Sequence, residues 1–318
     1  MKKLILAAAI AGITAGTAQA ATVYEGKGLK YDIKGDWQVQ LRDNASKTKD
    51  LEVEFDDLEL KNRVQYDLGN GLTAFGQLDF GFKDAAESKQ DGDSLEEAYL
   101  GLDFGSASVQ VGKMDKAADD FGVEQAYESP LGEDIFDEFG TGSGDDVIRA
   151  DASFGAVRVA ASHELEAEGE DSEGNESSDI YVEAGFDALT LGAAYQTFKS
   201  TPTAKSTDIW GVSAVFDAGF ATFGADYGVS DQAGTSDVAM LDIVATFKAT
   251  KQIKIAVGYV EHDYDDAAAN SEEAIYANLT YKFPEQKNVS MFAEITNRDD
   301  DANTDYELDV LAGMRIKF

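Results

Sequence analysis

The C-terminal stretch YELDVLAGMRIKF, residues 306–318, alternates apolar with polar or small residues up to its final aromatic ring. The apolar set is Tyr306, Leu308, Val310, Ala312, Met314, Ile316 and Phe318. Successive side chains of a β-strand point to opposite faces, so this stretch predicts a strand with one apolar and one polar face. A terminal strand of this kind needs a partner along its whole length, which favours a closed sheet whose last strand pairs with its first.

The same alternation recurs along the chain, while helical spacing is hard to find. It is clear in YDIKGDWQVQL (31–41), LTAFGQLDFGF (72–82), DIYVEAGF (179–186), MLDIVATF (240–247), IKIAVGY (253–259) and AIYANLTYKF (274–283). Aromatic residues concentrate near the ends of these segments, as they do in the interface girdles of membrane barrels. A β-sandwich also alternates, but it needs about half as many strands per domain.

The connecting segments fall into two alternating classes. The short ones carry turn-forming residues and are 67–72, 104–106, 154–156, 187–189, 217–220, 248–252 and 283–288. The long ones are acidic and are 44–51, 84–93, 115–145, 165–178, 199–207, 230–237, 263–272 and 298–305. Short turns on one rim and long loops on the other predict an all-β fold, a 16-stranded antiparallel transmembrane β-barrel.

Residues 1–20 read as a cleavable signal peptide, with Lys2 and Lys3 before an apolar run and Ala18-Gln19-Ala20 as the cleavage site. The apolar run is shorter than the roughly 20 residues that a membrane-anchor helix needs. The barrel domain is therefore predicted to comprise residues 21–318. The chain has no cysteine, so disulfides cannot stabilise it after export.

The net charge of −35 excludes electrostatic binding of nucleic acid. Acids that line a confined space would attract cations and repel anions. An acidic surface that stays solvated in brine accounts for the same composition, and the two interpretations are compatible.

Several stretches, taken in order, resemble the Gram-negative general (matrix-type) porins over the whole mature chain. They are ATVYEGKGLKYDIKGDWQVQ (21–40), DLGNGLTAF (67–75), VQVGKMDKAADDFG (109–122), DEFGT (137–141) and the terminal MRIKF (314–318). The resemblance implies a homotrimer in the outer membrane, in contact with lipid and lipopolysaccharide. It also implies that a third external loop, here 115–145, folds inward and narrows a pore for small hydrophilic solutes and ions.

The resemblance implies pore roles for particular residues of this chain. The acids of the constriction loop match Asp134 and Glu138, and Asp137 replaces the proline of the family pattern. The wall bases match Lys113 and Arg149. Arg149 has inward parity, whereas Lys113 needs a β-bulge near Gly112 to turn inward; otherwise it is a lysine at the rim.

Two expected wall bases are acids in this chain. Asp36 and Glu59 occupy positions where the family carries bases. Arg63 also has inward parity, and it compensates by supplying a positive charge at another level of the pore. Unit charges a few ångströms apart interact by about 4 kcal/mol at an effective dielectric of 20, so these changes predict a cation-preferring pore.

The sequence offers little catalytic or metal-binding chemistry. It has two histidines, no cysteine and no G-x-S-x-G or phosphate-loop pattern. DDDANTD (299–305) lacks the glycine and the bidentate glutamate of a calcium loop. We therefore expect no enzyme activity, no cofactor and no metal site. The alternatives that stay open are a substrate-selective porin and an outer-membrane enzyme or adhesin on a filled barrel.

Overall fold

The protein is an all-β chain, seen here in a computed structural model that describes residues 20–44, 51–87, 94–166, 176–201, 203–232, 236–265, 271–299 and 307–318. The predicted signal peptide, apart from Ala20, lies outside these residues. The strands are β1 Ala21–Gly26, β2 Leu29–Asp43, β3 Glu52–Gly69, β4 Leu72–Gly81, β5 Ser94–Asp103, β6 Ala107–Asp115, β7 Ser143–Phe154, β8 Val157–Glu164, β9 Glu176–Phe186, β10 Leu189–Lys199, β11 Thr207–Asp217, β12 Ala221–Gln232, β13 Val238–Lys248, β14 Ile253–Tyr264, β15 Glu272–Lys282, β16 Val289–Asp299 and β17 Glu307–Lys317.

The strands form one closed antiparallel sheet. Each strand from β2 onward pairs with the next in sequence, and β17 pairs with β2 from Val310 opposite Asp43 to Lys317 opposite Asp36. The predicted 16-stranded antiparallel barrel is thereby confirmed, because β2 to β17 complete the cylinder. Residues 310–316 of the closing strand pair with β16 on one side and β2 on the other, as a sheet in hydrocarbon requires.

The N-terminal residues form a strand that the alternation pattern does not predict. β1 pairs with β2 from Ala21 opposite Ile33 to Gly26 opposite Leu29. It uses the same edge of β2 as β17, and Phe318, the residue after β17, exchanges two backbone hydrogen bonds with Gly35. The two ends of the described chain therefore follow one another along a single edge of β2. β1 lies next to residues 29–33 and β17 next to residues 36–43. ATVYEG is too short and too mixed in polarity for alternation alone to identify it as a strand.

The two faces of the sheet separate the side chains as expected. On β17, Leu308 and Val310 are exposed to the outside, whereas Leu311, of the opposite parity, is 4% exposed. The outer face carries a band of exposed apolar side chains, while the inner face carries most of the buried polar ones. In the described part of the chain, no helix has the length and apolar character needed to cross a membrane.

Among the residues that the structure describes, three short helical segments lie between strands. They are α1 Lys83–Ala86, a 3₁₀ turn Ala117–Asp120 and α2 Ile135–Phe139. The last two belong to the connection between β6 and β7, residues 116–142, called here the long segment. The main apolar cluster joins the long segment to inward-facing wall residues, with Phe136 and Ile135 against Ile209, Met240 and their neighbours.

Candidate functional site

The backbone of the long segment donates hydrogen bonds to side chains on the inner face of distant strands. Val123 N–H donates to Asp226 on β12 over 2.9 Å. Tyr127 N–H donates to Glu294 on β16 over 2.7 Å. On the other side of the closure, Arg42 on β2 donates to Glu128 over 2.6 Å. Asp226 and Glu294 thereby satisfy backbone N–H groups that would otherwise be buried without partners, whereas Arg42 holds the segment through the Glu128 side chain.

Charged side chains fix the start of the long segment. The Arg149 guanidinium donates to the backbone carbonyls of Asp115 and Lys116 over 3.1 and 2.9 Å, and it pairs with Asp120. Lys116 is fully buried, and its ammonium lies 2.6 Å from the Glu164 carboxylate. Arg149 faces inward as predicted, but its donors are engaged in holding the segment.

The three predicted loop acids lie together around α2, in different surroundings. Asp134 is buried and caps the helix, accepting hydrogen bonds from the N–H groups of Phe136 at 2.7 Å and Asp137 at 3.3 Å. Burial raises the pKa of its carboxyl well above the usual value. Asp137 and Glu138 are exposed. The pKa of Glu138 is raised by burial of part of its carboxyl and by the Asp137 charge. Only these two present charge to solvent.

Asp36, one of the acids at an expected base position, is paired with bases from the closing strand. Arg315 Nε lies 2.7 Å from one Asp36 oxygen, and Lys317 Nζ lies 2.7 Å from the other. Arg315 also pairs with Asp57 on β3. The position opposite Asp36 on β17 is Lys317, so the two charges meet across the barrel closure.

Glu59, the second such acid, belongs to an acidic cluster on β3, β4 and β5. Carboxylate oxygens of Glu59, Asp79 and Glu96 lie within 4.8 Å of one another, which is close enough to hold a cation. Lys61 Nζ supplies a positive charge there, 2.6 Å from Asp79 and 3.4 Å from Glu97. A resident metal ion would have to compete with this ammonium.

The remaining predicted wall bases flank that cluster. The register shifts between Gly112 and Met114, where a bulge is expected if Lys113 faces inward, and Lys113 pairs with Asp145. Lys113 lines the same cavity as Glu59. The Arg63 guanidinium carbon lies 4.7 Å from the centre of the Phe75 ring, and the guanidinium donates to Gln77 over 3.0 Å.

A second cavity, of about 380 Å³, lies between the long segment and the last strands. Five basic side chains line it: Lys254, Lys282, Lys287, Arg315 and Lys317. Four acidic side chains line it as well: Asp56, Asp57, Glu124 and Glu133. The structure thus brings acids and bases together across one space, but at positions that differ from most of the predicted ones.

The sequence analysis did not identify the bases on β14, β15 and β17, although the signal was available. Lys254, Lys282, Arg315 and Lys317 all have inward parity in IKIAVGY, LTYKF and MRIKF. Each lies near a short turn, so all four reach the same rim. Inward parity and a similar distance from the short-turn rim, considered together, would have predicted that these four bases lie close to one another.

Two carboxyls of the long segment are neutral around pH 7. Burial raises the pKa of Glu124 to about 9, although a hydrogen bond from Ser129 opposes the shift. Burial, followed by the charge of Asp115, raises the pKa of Asp119 to about 8. Not every acid beside the cavity therefore contributes a negative charge under ordinary conditions.

A closed barrel with an apolar outer band and a charged interior defines the class of transmembrane β-barrel proteins. Residues 6–303 match the family described as Gram-negative porin, and the chain belongs to that family. It is accordingly a protein of the Gram-negative outer membrane.

Named relatives agree with this membership. The chain is 27% identical to "Porin-like protein H" of Photobacterium profundum over the full length of both chains. It is 32% identical to the "Monosaccharide porin" of a Halomonas species over 45% of this chain and 41% of that one. Among solved structures, the trimer form of the outer membrane protein OmpT of Vibrio cholerae superposes with a TM-score of 0.76 at 18% identity, over 92% of this chain and all of that one. At that identity the last likeness concerns the fold alone.

Proposed function

We propose that this porin is a channel for passive diffusion of small hydrophilic solutes and ions, narrowed by the long segment and selective for cations. The observation that carries the proposal is the set of hydrogen bonds that join residues 123–128 to inward-facing side chains. These partners lie on strands as far apart as β2, β12 and β16. A segment tied to such distant inner positions would cross the lumen and reduce its width.

The cation preference is supported by the acidic composition of the chain and by acids placed along the proposed path. The chain carries 61 acids against 26 lysines and arginines. Exposed Asp137 and Glu138 and the Glu59 cluster would supply negative potential along the path. Asp36 contributes less than the sequence suggests, because Arg315 and Lys317 neutralise it.

Assembly and targeting belong to the same proposal. We expect a homotrimer, for which the trimeric Vibrio cholerae structure with the same fold is the support. Residues 1–20 would be removed as a signal peptide, and the outer face would contact lipid and lipopolysaccharide. No cofactor is part of the proposed transport.

Planar-bilayer recording of the purified protein tests the channel and its selectivity. We expect stepwise openings, grouped in threes for a trimer, and a reversal potential in a KCl gradient that favours K⁺. A reversal potential of the opposite sign would refute the cation preference, and an absence of openings would refute the channel.

A substrate-selective porin is the second candidate, favoured by the Halomonas relative whose name specifies monosaccharides. Liposome swelling separates the two functions. A general channel admits neutral solutes in order of size, whereas a selective one admits particular sugars faster than smaller solutes of other classes.

A further inference from the structure

We propose that Lys254, Lys282 and Lys287, called here the lysine pocket, form a binding subsite for the carboxylate or phosphate group of a small solute. The inference rests on the proposed channel function and specifies a class of solute for it. The three lysines line the cavity between the long segment and the last strands.

The lysine pocket concentrates positive charge in a strongly acidic protein. Lys254 repels Lys282 and Lys248 electrostatically, and Lys282 is repelled in turn by Lys317 and Arg315. Among the described residues, Lys282 and Lys287 have no carboxylate within ion-pair distance, whereas Arg315 and Lys317 both pair with Asp36. Unbalanced like charges at close range are stabilised by an anion placed between them.

The acids of the same cavity do not cancel this charge. Asp57 pairs with Arg315, and Asp56 lies 3.7 Å from the ammonium of Lys83. Glu124 is neutral at pH 7 because burial raises its pKa to about 9. Glu133, on the long segment, is the remaining acid that lines the cavity.

The surroundings of the lysine pocket are fixed in position. Lys254 Nζ donates to Gln125 Oε1 over 2.7 Å, so the long segment orients that ammonium. The Tyr127 hydroxyl lies 2.6 Å from Thr280 Oγ1, and the Tyr127 ring stacks on Phe292 with the ring centres 4.0 Å apart. Thr280, Ser290 and Asn288 also line the cavity and offer hydroxyl and amide groups to a hydroxylated solute.

Lysine suits such a role because its ammonium binds phosphate or carboxylate as a point charge without demanding one geometry. The pocket lies beside the long segment and close to the short turn 283–288. An anion held there would lie in the channel and obstruct the K⁺ current while bound.

Block of the K⁺ current in planar bilayers tests the subsite. Inorganic phosphate, gluconate and glucose are added in turn at low ionic strength, where screening is weak. We expect saturable block by phosphate, gluconate or both, and none by glucose. Block by phosphate alone or gluconate alone identifies which group the pocket takes. No block by either anion, or equal block by glucose, overturns the proposal.

The variants isolate the lysines. In the double variant Lys282→Gln/Lys287→Gln, the half-blocking anion concentration should rise about tenfold, because two charges are removed near the anion. Lys254 stays unchanged, since it holds the long segment through Gln125. Lys199→Gln is the matched control, because Lys199 pairs with Glu176 on β9, away from the cavity. Equal block of the double variant and the wild type would refute the assignment.

The same recordings separate this inference from the channel proposal. If the wild type forms no stepwise openings, the channel proposal fails and the subsite fails with it. If it conducts K⁺ but no anion blocks the current, the channel stands and only the subsite is overturned. The unblocked conductance and detergent-gel migration of each variant check that its barrel is intact.

Discussion

The acids of the inner wall have different numbers of basic partners on two sides of the barrel. On β3 to β5, Glu59, Asp79 and Glu96 crowd together around one ammonium, that of Lys61. At the closure of β17 on β2, Asp36 lies between two bases, Arg315 and Lys317, and Asp57 is a second partner of Arg315. Both regions contain an acid where the family pattern has a base. The comparison teaches that the effect of such a change depends on which partners the neighbouring strands supply.

Removal of Lys61 should have the largest effect, because it leaves the acidic side without its cation. Asp79 is 1% exposed, and a buried carboxylate that loses its partner costs several kcal/mol. We expect Lys61→Met to lower the free energy of unfolding by about 3 kcal/mol. Urea unfolding in detergent at neutral pH measures the change.

Lys113→Met is the control for that experiment. Lys113 pairs with Asp145, and both side chains are about a third to a half exposed (34% and 49%). Exposed pairs contribute roughly 0–1 kcal/mol, so this variant should unfold close to the wild type. Equal losses of unfolding free energy in the two variants would mean that burial of Asp79 does not make the Lys61 pair more stabilising than the exposed Lys113 pair.

Arg315→Gln tests the other side of the comparison through ion selectivity. The substitution leaves Asp36 with Lys317 alone and removes the arginine partner of Asp57. We expect the K⁺/Cl⁻ permeability ratio to rise about threefold, since the freed negative charge lies in the channel wall. Reversal potentials in a KCl gradient measure the ratio.

Arg63→Gln removes the same charge without freeing an acid, because Arg63 contacts the Phe75 ring and the Gln77 amide. Its permeability ratio should change less than that of Arg315→Gln. The reverse order would show that the closure does not neutralise Asp36.

The smallest effect concerns pH and the acids of the long segment. Because the pKa of Asp119 is raised to about 8 and that of Glu124 to about 9, both carboxyls ionise as the pH rises through these values. The cation preference should therefore increase moderately from neutral to alkaline pH. Since the folded protein favours the protonated forms, its stability should fall over the same range.

Glu124→Gln should abolish the upper part of that pH dependence, as shown by reversal potentials measured across the range. Asp187→Asn is a matched control that removes one charge in a short turn, where φ is 52° and asparagine is tolerated. A wild-type selectivity that is flat with pH would contradict the prediction.

The alternation in the sequence was sufficient to predict the barrel, because the period of two residues and the two classes of connector indicate the number of strands and the closure of the sheet. It also predicted the inward direction of Arg149 and the irregularity beside Lys113. It could not predict that Asp134 is a helix cap or that Arg315 reaches Asp36. Those contacts depend on the height of each residue along tilted neighbouring strands, and parity carries no information on height.

The shared place of β1 and β17 on one edge of β2 has a consequence for biogenesis. The cylinder closes through pairs such as Gly35 with Phe318, whose partners are separated by nearly the whole chain. Contacts of such long range form slowly. Until they form, β2 presents an open edge that would pair with other chains. Pairing of the two ends of the barrel removes that edge, so closure is the step that would protect the sheet from pairing with other chains.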